Sequence, residues 1–269
     1  MADRRDLVIT SPGSIGLEDA PELVPGPGEV VARPVHTGIC GTDLELVAGV
    51  VDPAYTRYPL VPGHEWSGII EAVGPDATGL EPGQPVIAEG IIPDRVCAQC
   101  VQGHTNLCLV YDELGFTRAG AAADQVLLPA QVVHVLGPRV SLLDAALAEP
   151  AAVAWRAIGR GQPRPGERIA VVGDGTLALI TTHLLRLFSP AELIVFRLHL
   201  RGLGRGHRAA VRRADQAVPA DHPRVPARGL RGGVPGAAIH LKLGGLGGVV
   251  PPGASRAPRG KVILDVSEP

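Results

Sequence analysis

Two short segments carry side chains whose types suit a metal site. Residues 38–43 read Gly-Ile-Cys-Gly-Thr-Asp, and residues 63–68 read Gly-His-Glu-Trp-Ser-Gly. The thiolate of Cys40, the imidazole of His64 and the carboxylate of Glu65 are all donors that zinc accepts. Ligands on separate turns converge on one ion more easily than neighbours in a strand, and the flanking glycines allow tight turns. Gly-His-Glu alone is also compatible with a glycine turn and an incidental histidine, but the two segments together predict a metal site.

A third segment has the pattern of a coenzyme-binding turn. Residues 171–178 read Val-Val-Gly-Asp-Gly-Thr-Leu-Ala and lie between a predicted buried strand and a predicted helix. In this pattern the first glycine makes the turn, the second admits a pyrophosphate, and the small last residue lets helix and strand pack closely. The pattern predicts dinucleotide binding by Gly173, Gly175, Thr176, Leu177 and Ala178.

The choice between NAD and NADP stays open at this level. An acidic residue that binds the ribose is expected about 20 residues beyond the turn, but residues 196–199 read Phe-Arg-Leu-His. Arg197 would suit the 2′-phosphate of NADP, although the composition of the chain changes at this point. We therefore predict NAD or NADP as the coenzyme without choosing between them.

These segments resemble the zinc-dependent medium-chain alcohol and polyol dehydrogenase family. The family signature is Gly-His-Glu, two residues, Gly, five residues, Gly, and residues 63–74 match it at every fixed position. Residues 40–43 match the catalytic cysteine motif of the family. The resemblance runs from about residue 7 to residue 196, and residues 63–68 and 114–126 are similar in particular to sugar, polyol and 2-deoxy-scyllo-inosamine dehydrogenases.

The resemblance implies a catalytic zinc site and a reaction. Cys40 and His64 would bind zinc, and Glu65 would either bind it directly or lie beside a bound water. Glu149, in a Leu-Ala-Glu-Pro stretch, would be a further ligand or would hold the zinc-bound water; its alternative role is an acid at a helix boundary. The implied reaction is hydride transfer between a secondary alcohol and NAD(P), with zinc as a Lewis acid and Thr42 as the first proton relay.

The same resemblance implies a second, structural zinc site. Many family members carry four cysteines where this chain has Asp94, Cys97, Cys100 and Cys108. Carboxylate oxygen also binds zinc, so one aspartate and three cysteines form a feasible site, with His104 as a reserve ligand. The alternatives are a lobe held by packing alone and a redox pair of Cys97 and Cys100.

The elements that must position these residues form two regions. Short Val/Ile-rich runs punctuated by Gly and Pro predict strands at 29–35, 67–73, 85–88 and 126–135. Ser141 opens a predicted helix, which Pro150 is expected to interrupt, and residues 166–196 read as a strand, turn, helix and strand. We predict an α/β chain: a β-rich GroES-like zinc-binding domain over residues 1–150, followed by a partial Rossmann-type nucleotide-binding domain over residues 151–269.

The composition changes abruptly near residue 196. Residues 1–196 hold 23 acidic and 12 basic residues, whereas residues 197–260 hold 12 basic and 2 acidic residues and no aromatic ones. We expect this stretch to be irregular, with residues 261–266 as a returning strand. Frame slips with a deletion and a natural insert are both open explanations. A nucleic-acid arm is the least favoured interpretation, since no aromatic side chain is present to stack on bases.

The remaining features limit the partners. No apolar run has the length of about 20 residues that a membrane helix needs, and no signal peptide pattern is present, so we expect a cytoplasmic protein without membrane partners. A small polyol-type substrate and assembly into a homo-oligomer fit the resemblance. The alternative to an active dehydrogenase is a non-catalytic zinc-binding remnant with impaired coenzyme binding.

Overall fold

The computed structural model describes residues 4–199, 210–213 and 262–265, with side chains described as far as residue 196. The described residues fall into two compact units that divide between Glu149 and Pro150. The sequence places its domain boundary one residue later. Among the described residues, no helix has both the length and the apolar character that crossing a membrane requires.

The first unit is built mainly from short antiparallel strands. The strands are β1 (Arg4–Ser11), β2 (Ser14–Ala20), β3 (Glu29–Ile39), β4 (Glu65–Val73), β5 (Pro85–Ala88), β6 (Ile91–Pro93), β7 (Tyr111–Glu113), β8 (Val126–Pro129), β9 (Val133–Val135) and β13 (Val262–Asp265). The largest sheet has the order β13-β3-β4-β5-β9, with β8 paired to β3, and β1 with β2 and β6 with β7 form separate two-stranded sheets. Strand β13, near the carboxy terminus, therefore lies beside β3.

The helices of the first unit are short. Helix α1 (Gly41–Ala48) follows β3 directly, and α2 (Leu142–Ala145) follows β9. Ser141 caps α2, because its hydroxyl accepts a hydrogen bond from the backbone N–H of Asp144. Helix α3 (Ala148–Gly161) begins at the boundary between the units.

The core of the first unit lies against β3 and β4. Val30, Ala32, Ile70, Val86 and Leu128 are buried there, and each contributes an apolar side chain from one of four neighbouring strands. Such a core favours one register, because a slip by one residue would turn every apolar side chain to the opposite face.

Pro34 lies inside β3 and lacks the N–H that a sheet ladder needs. The pairing of β3 with β4 shifts between Pro34 and His36, so a bulge accommodates the proline.

Two details differ from the sequence prediction. The predicted strand 126–135 is two strands, β8 and β9, separated by a turn of 3-10 helix at Ala130–Val132. Pro150 does not interrupt a helix; it lies in the first turn of α3. The reason is that N–H groups in the first turn have no partner within the helix, so a residue without an N–H is tolerated there.

In its described residues, the second unit contains a parallel strand pair and the helix that connects the two strands. Strand β10 (Arg168–Val172) is followed by α4 (Thr176–Leu185) and by β11 (Glu192–His199), and β10 and β11 are parallel. Strand β12 (Ala210–Arg213) pairs antiparallel with β11. The described parts of the stretch 197–260 thus lie in β11 and β12, and the rest of that stretch lies outside the described residues.

Candidate active site

Cys40, His64 and Glu65 lie together in the first unit. Each offers one ligand atom, and these three atoms lie within 4.8 Å of one another. Tetrahedral zinc with bonds of about 2.0–2.3 Å needs ligand atoms about 3–4 Å apart. His64 and Glu65 are buried, and Cys40 is half-buried. These three side chains could therefore hold one metal ion.

The strand pair β3–β4 brings these residues together. In its register Gly38 is opposite Glu65. Cys40 follows Gly38 by two residues and His64 precedes Glu65 by one, so both lie at the same end of the pair. Residues 24 positions apart in the chain become neighbours because the two strands are antiparallel.

Two of the signature glycines lie where a neighbouring segment of backbone comes too close to leave room for a side chain. Gly63 has φ of +101°, and a Cβ there would lie 2.7 Å from the backbone N of Ala122. A Cβ on Gly68 would lie 2.3 Å from the carbonyl oxygen of Arg33 in the paired strand. Any larger residue at these two positions would push the chain away from its neighbour, and the first position directly precedes His64.

Asp43 connects two of the candidate ligands. Its Oδ2 accepts a hydrogen bond of 2.6 Å from the backbone N–H of Cys40, and its Oδ1 lies 3.6 Å from Nδ1 of His64. Burial lowers the pKa of His64, but a hydrogen bond with Cys40 and the charges of Asp43, Cys40 and Glu149 outweigh it, so that the pKa is raised overall. The Asp43 carboxylate thus adjoins both the Cys40 backbone and the His64 ring.

Two further side chains border the ligands. The hydroxyl of Thr42 lies 3.8 Å from Sγ of Cys40. The ring of Phe116 packs against the imidazole of His64, with 5.1 Å between ring centroids and an angle of 50°. The aromatic ring excludes water from one side of His64.

Glu149 lies outside the group of three ligand atoms, although the sequence places it among the zinc ligands. Its charge nevertheless acts on His64. Burial raises the pKa of the Glu149 carboxyl, the charge of His64 lowers it, and the charge of Asp43 raises it. Glu149 is therefore a half-buried acid outside the ligand group, and its role at the zinc site stays a prediction.

The second predicted cluster also comes together. One ligand atom each from Asp94, Cys97, Cys100 and Cys108 lies within 4.8 Å of the others. Sγ of Cys97 and Sγ of Cys108 are 3.8 Å apart, and all four cysteines of the chain are free thiols. This distance is that between two sulfurs on one tetrahedral zinc with bonds of about 2.3 Å. His104 is not part of the group.

Backbone N–H groups hold the side chains in the lobe formed by residues 94–108. Oδ1 of Asp94 accepts hydrogen bonds from the N–H groups of Val96 and Cys97, at 3.0 and 3.1 Å. These hydrogen bonds lower the pKa of Asp94 far below its usual range, and the bond from the N–H of Cys97 contributes most. The N–H of Leu109 lowers the pKa of Cys97, whereas burial raises that of Cys100 to about 12. The lobe therefore presents a carboxylate held by backbone N–H groups beside three thiols.

The predicted coenzyme turn lies between β10 and α4 of the second unit. Gly173 has φ of +134°, and its N–H donates a hydrogen bond of 2.8 Å to the carbonyl of Phe196 in β11. A Cβ on Gly173 would lie 3.4 Å from Cβ of Ala178. Gly175 is the N-cap of α4, so Thr176 and Leu177 open that helix with backbone N–H groups available to an anion.

Comparison with known proteins finds a family match within the first unit. Residues 26–138 match the family model described as the alcohol dehydrogenase GroES-like domain. This part of the chain therefore has a GroES-like fold. The predicted relationship to alcohol and polyol dehydrogenases and the predicted fold class are thereby confirmed.

Individual relatives agree with this assignment. The chain is 34% identical over 179 residues to the protein named "Probable D-xylulose reductase A" of Neosartorya fischeri. This match covers 65% of this chain and 49% of the relative. It is 30% identical over 203 residues to scyllo-inosose 3-dehydrogenase of Thermotoga maritima, covering 67% and 51%. The chain thus spans about half the length of the curated relatives it matches.

Among solved structures, a cobalt- and zinc-bound thermostable alcohol dehydrogenase from Pyrobaculum aerophilum superposes with a TM-score of 0.66 at 31% identity. The match covers 72% of this chain and 59% of the other. This part of the chain therefore has a fold similar to that of the alcohol dehydrogenase.

The sequence does not predict three neighbours of the site in this domain. Asp43 is the last residue of the cysteine motif, and Phe116 lies in the segment 114–126 that resembles polyol dehydrogenases. Glu113 was not identified, yet the charges of His64 and Glu149 act on its carboxyl. Its only sequence signal is its position next to the 114–126 segment.

Proposed function

We propose that the chain is a zinc-dependent oxidoreductase that transfers a hydride between a secondary alcohol, of the polyol, sugar or aminocyclitol type, and NAD or NADP. The observation that carries the proposal is the convergence of Cys40, His64 and Glu65 in a GroES-like domain. A thiolate, an imidazole and a carboxylate are the donor types of catalytic zinc, for which three protein ligands leave one position to the substrate.

Zinc held by these residues would act as a Lewis acid and make the hydroxyl proton of the alcohol more acidic. Thr42 would take up that proton, because its hydroxyl lies 3.8 Å from Cys40 Sγ and can both accept and donate. Asp43 would fix the ring of His64 and the loop at Cys40. Phe116 would keep water away from the imidazole face.

The coenzyme would bind at the turn between β10 and α4. Gly173 and Gly175 leave room for a pyrophosphate, and the N-terminus of α4 favours its negative charge. The predicted binding residues Gly173, Gly175, Thr176, Leu177 and Ala178 all lie in this turn or in the first helical residues.

We propose a second, structural zinc for Asp94, Cys97, Cys100 and Cys108. Three thiols and a carboxylate within 4.8 Å of one another would repel one another if ionised, and a divalent cation compensates their charge. The ion would fix a loop that contains little regular structure.

Metal analysis and coenzyme titration test the proposal together. The protein, purified without chelator, is expected to contain two zinc ions per chain and to enhance the fluorescence of NADH on binding. Oxidation of a polyol is then followed by nicotinamide absorbance, and Thr42→Val is expected to slow turnover while zinc stays bound. Absence of zinc would overturn the proposal. Zinc without binding of NADH or NADPH would instead support the non-catalytic remnant.

A further inference from the structure

We propose that Cys97 and Cys108 form an oxidative modification site, at which a peroxide converts the two thiols into a disulfide that cross-links the lobe in place of zinc. The proposal concerns the second cluster and goes beyond the reaction proposed for the first. The redox pair suggested by the sequence is Cys97 with Cys100, whereas the structure favours Cys108 as the partner.

The sulfur atoms of Cys97 and Cys108 lie close together. Their Sγ atoms are 3.8 Å apart, and both residues are free thiols. A disulfide bond is about 2.05 Å long, so the two sulfurs have to approach by less than about 2 Å. A second thiol is therefore in place next to whichever sulfur is oxidised first.

Backbone N–H groups hold each sulfur beside the other cysteine. The N–H of Leu109, which follows Cys108, donates a hydrogen bond of 3.5 Å to Sγ of Cys97. The N–H of Asp94, which precedes Cys97 by three residues, donates a hydrogen bond of 3.4 Å to Sγ of Cys108. The two ends of the lobe are thus joined through these two sulfurs.

The lobe depends on a cross-link for its order. Of residues 94–108, all of which the structure describes, only Cys100 and Cys108 are buried. Three of its large apolar side chains are exposed, namely Val96, Val101 and Leu107. A segment that buries so little apolar surface needs a metal or a disulfide to fix it.

Loop length also favours Cys108 over Cys100. A bond between Cys97 and Cys100 would close a single turn, in which the carbonyl of Cys97 already accepts a hydrogen bond of 3.1 Å from the N–H of Val101. A bond between Cys97 and Cys108 closes nearly the whole lobe. In the chain-entropy account, stabilisation by a disulfide increases with the length of the loop that it closes.

The oxidation of the two thiols balances with one hydrogen peroxide. Cys97 is half-buried and Cys108 is buried, so the peroxide reaches Cys97 first. The sulfur of Cys97 attacks one peroxide oxygen and the O–O bond breaks, which gives a sulfenic acid and water. The sulfur of Cys108 then attacks the sulfenic sulfur, and the hydroxyl leaves with the thiol proton as a second water. The lobe has then lost two of its four ligands and releases its zinc.

The test oxidises the full chain with hydrogen peroxide in slight excess, both as purified and after treatment with a chelator. Mass spectrometry is expected to show the loss of two hydrogen atoms per chain, and peptide mapping is expected to show a link between Cys97 and Cys108. A chromophoric chelator should detect one zinc released per disulfide from the protein as purified. In the metal-free chain the disulfide should raise Tm by about 5 °C, and dithiothreitol should reverse this change.

Two variants separate the pair from the third thiol. Cys108→Ser is expected to form no disulfide in the time that fully converts the wild-type chain. Cys100→Ser is the matched control, because it removes a thiol from the same lobe and leaves the proposed pair intact. This control is expected to lose two hydrogen atoms as the wild type does.

A map that links Cys97 to Cys100, a disulfide between two chains, or sulfinic acid in place of a disulfide would overturn the inference. Equal conversion of Cys108→Ser and wild type would also overturn it. The zinc content before oxidation reports separately on the proposed structural zinc. A chain that holds no zinc but forms the mapped disulfide would contradict that metal site and support the modification site.

Discussion

Oδ1 of Asp43 lies 3.6 Å from Nδ1 of His64, while the other oxygen of the same carboxylate holds the backbone of Cys40. One carboxylate therefore holds the backbone of one candidate metal ligand and lies at ion-pair distance from a second. Mutation of residues that support metal ligands typically changes metal affinity by about 10- to 100-fold.

We predict that Asp43→Asn weakens zinc binding at this site by about 10- to 100-fold, because the imidazole loses a charged partner. Competition with a chromophoric chelator measures the affinity, and far-UV circular dichroism checks that the domain stays folded. Asp19→Asn, an exposed change of the same charge, is the control. An affinity equal to wild type would show that Asp43 does not orient the ligands.

The metal-free protein is expected to lose stability as the pH rises from about 6.5 upward. The pKa of His64 is raised in the folded chain, so folding favours the protonated form. This stabilisation is complete below the unfolded pKa of about 6.5 and is lost as the pH passes the higher folded value. Thermal unfolding in chelator at pH 6 and pH 8 measures the effect. His64→Gln should flatten the dependence, and His104→Gln, at an exposed position, should not.

Gly63→Ala is expected to destabilise the GroES-like domain by about 2–4 kcal/mol. The substitution combines a positive φ of +101° with a Cβ placed 2.7 Å from the backbone N of Ala122. Urea unfolding gives the free energy of unfolding. Gly16→Ala is the matched control, because a Cβ there meets nothing within 4 Å. Similar losses in both variants would mean that the close approach at Gly63 is relieved at no cost.

The two metal clusters are expected to respond differently to loss of a thiol. Cys40→Ala should reduce zinc from two ions to one per chain with little change in Tm, since that site serves chemistry. Cys100→Ser should also leave one ion, but should lower Tm by about 5–10 °C, since its metal fixes an irregular loop. Elemental analysis and calorimetry on the same samples measure both quantities. A fall in Tm of equal size in both variants would contradict the division of roles.

Asp94→Cys is expected to strengthen zinc binding in the lobe, because a fourth thiolate is a softer ligand than a carboxylate. Chelator competition should therefore remove the metal from wild type before it removes the metal from the variant. If the variant loses its zinc first, the hydrogen bonds of Asp94 with Val96 and Cys97 matter more to the lobe than its ligand chemistry.

The sequence by itself determined the class of the fold and predicted which side chains could hold a metal. Cys40, His64 and Glu65 are identified by side-chain type and by the glycines around them. The strands of the first unit and the turn at Gly173 follow from short apolar runs and fixed glycine spacing. These signals are local, and each lies within about ten residues of chain.

Tertiary structure alone decided which other side chains meet the ligands. Asp43 reaches His64 only because β3 and β4 pair with Gly38 opposite Glu65. Phe116 and Glu113 reach the site only because their turn packs against Gly63, about 50 positions earlier. Neither periodicity nor motif spacing encodes such contacts, since they depend on how separate strands pack. Glu149 stays outside the ligand group for the same reason: the position of its carboxylate is fixed by the start of α3 and not by the Leu-Ala-Glu-Pro motif.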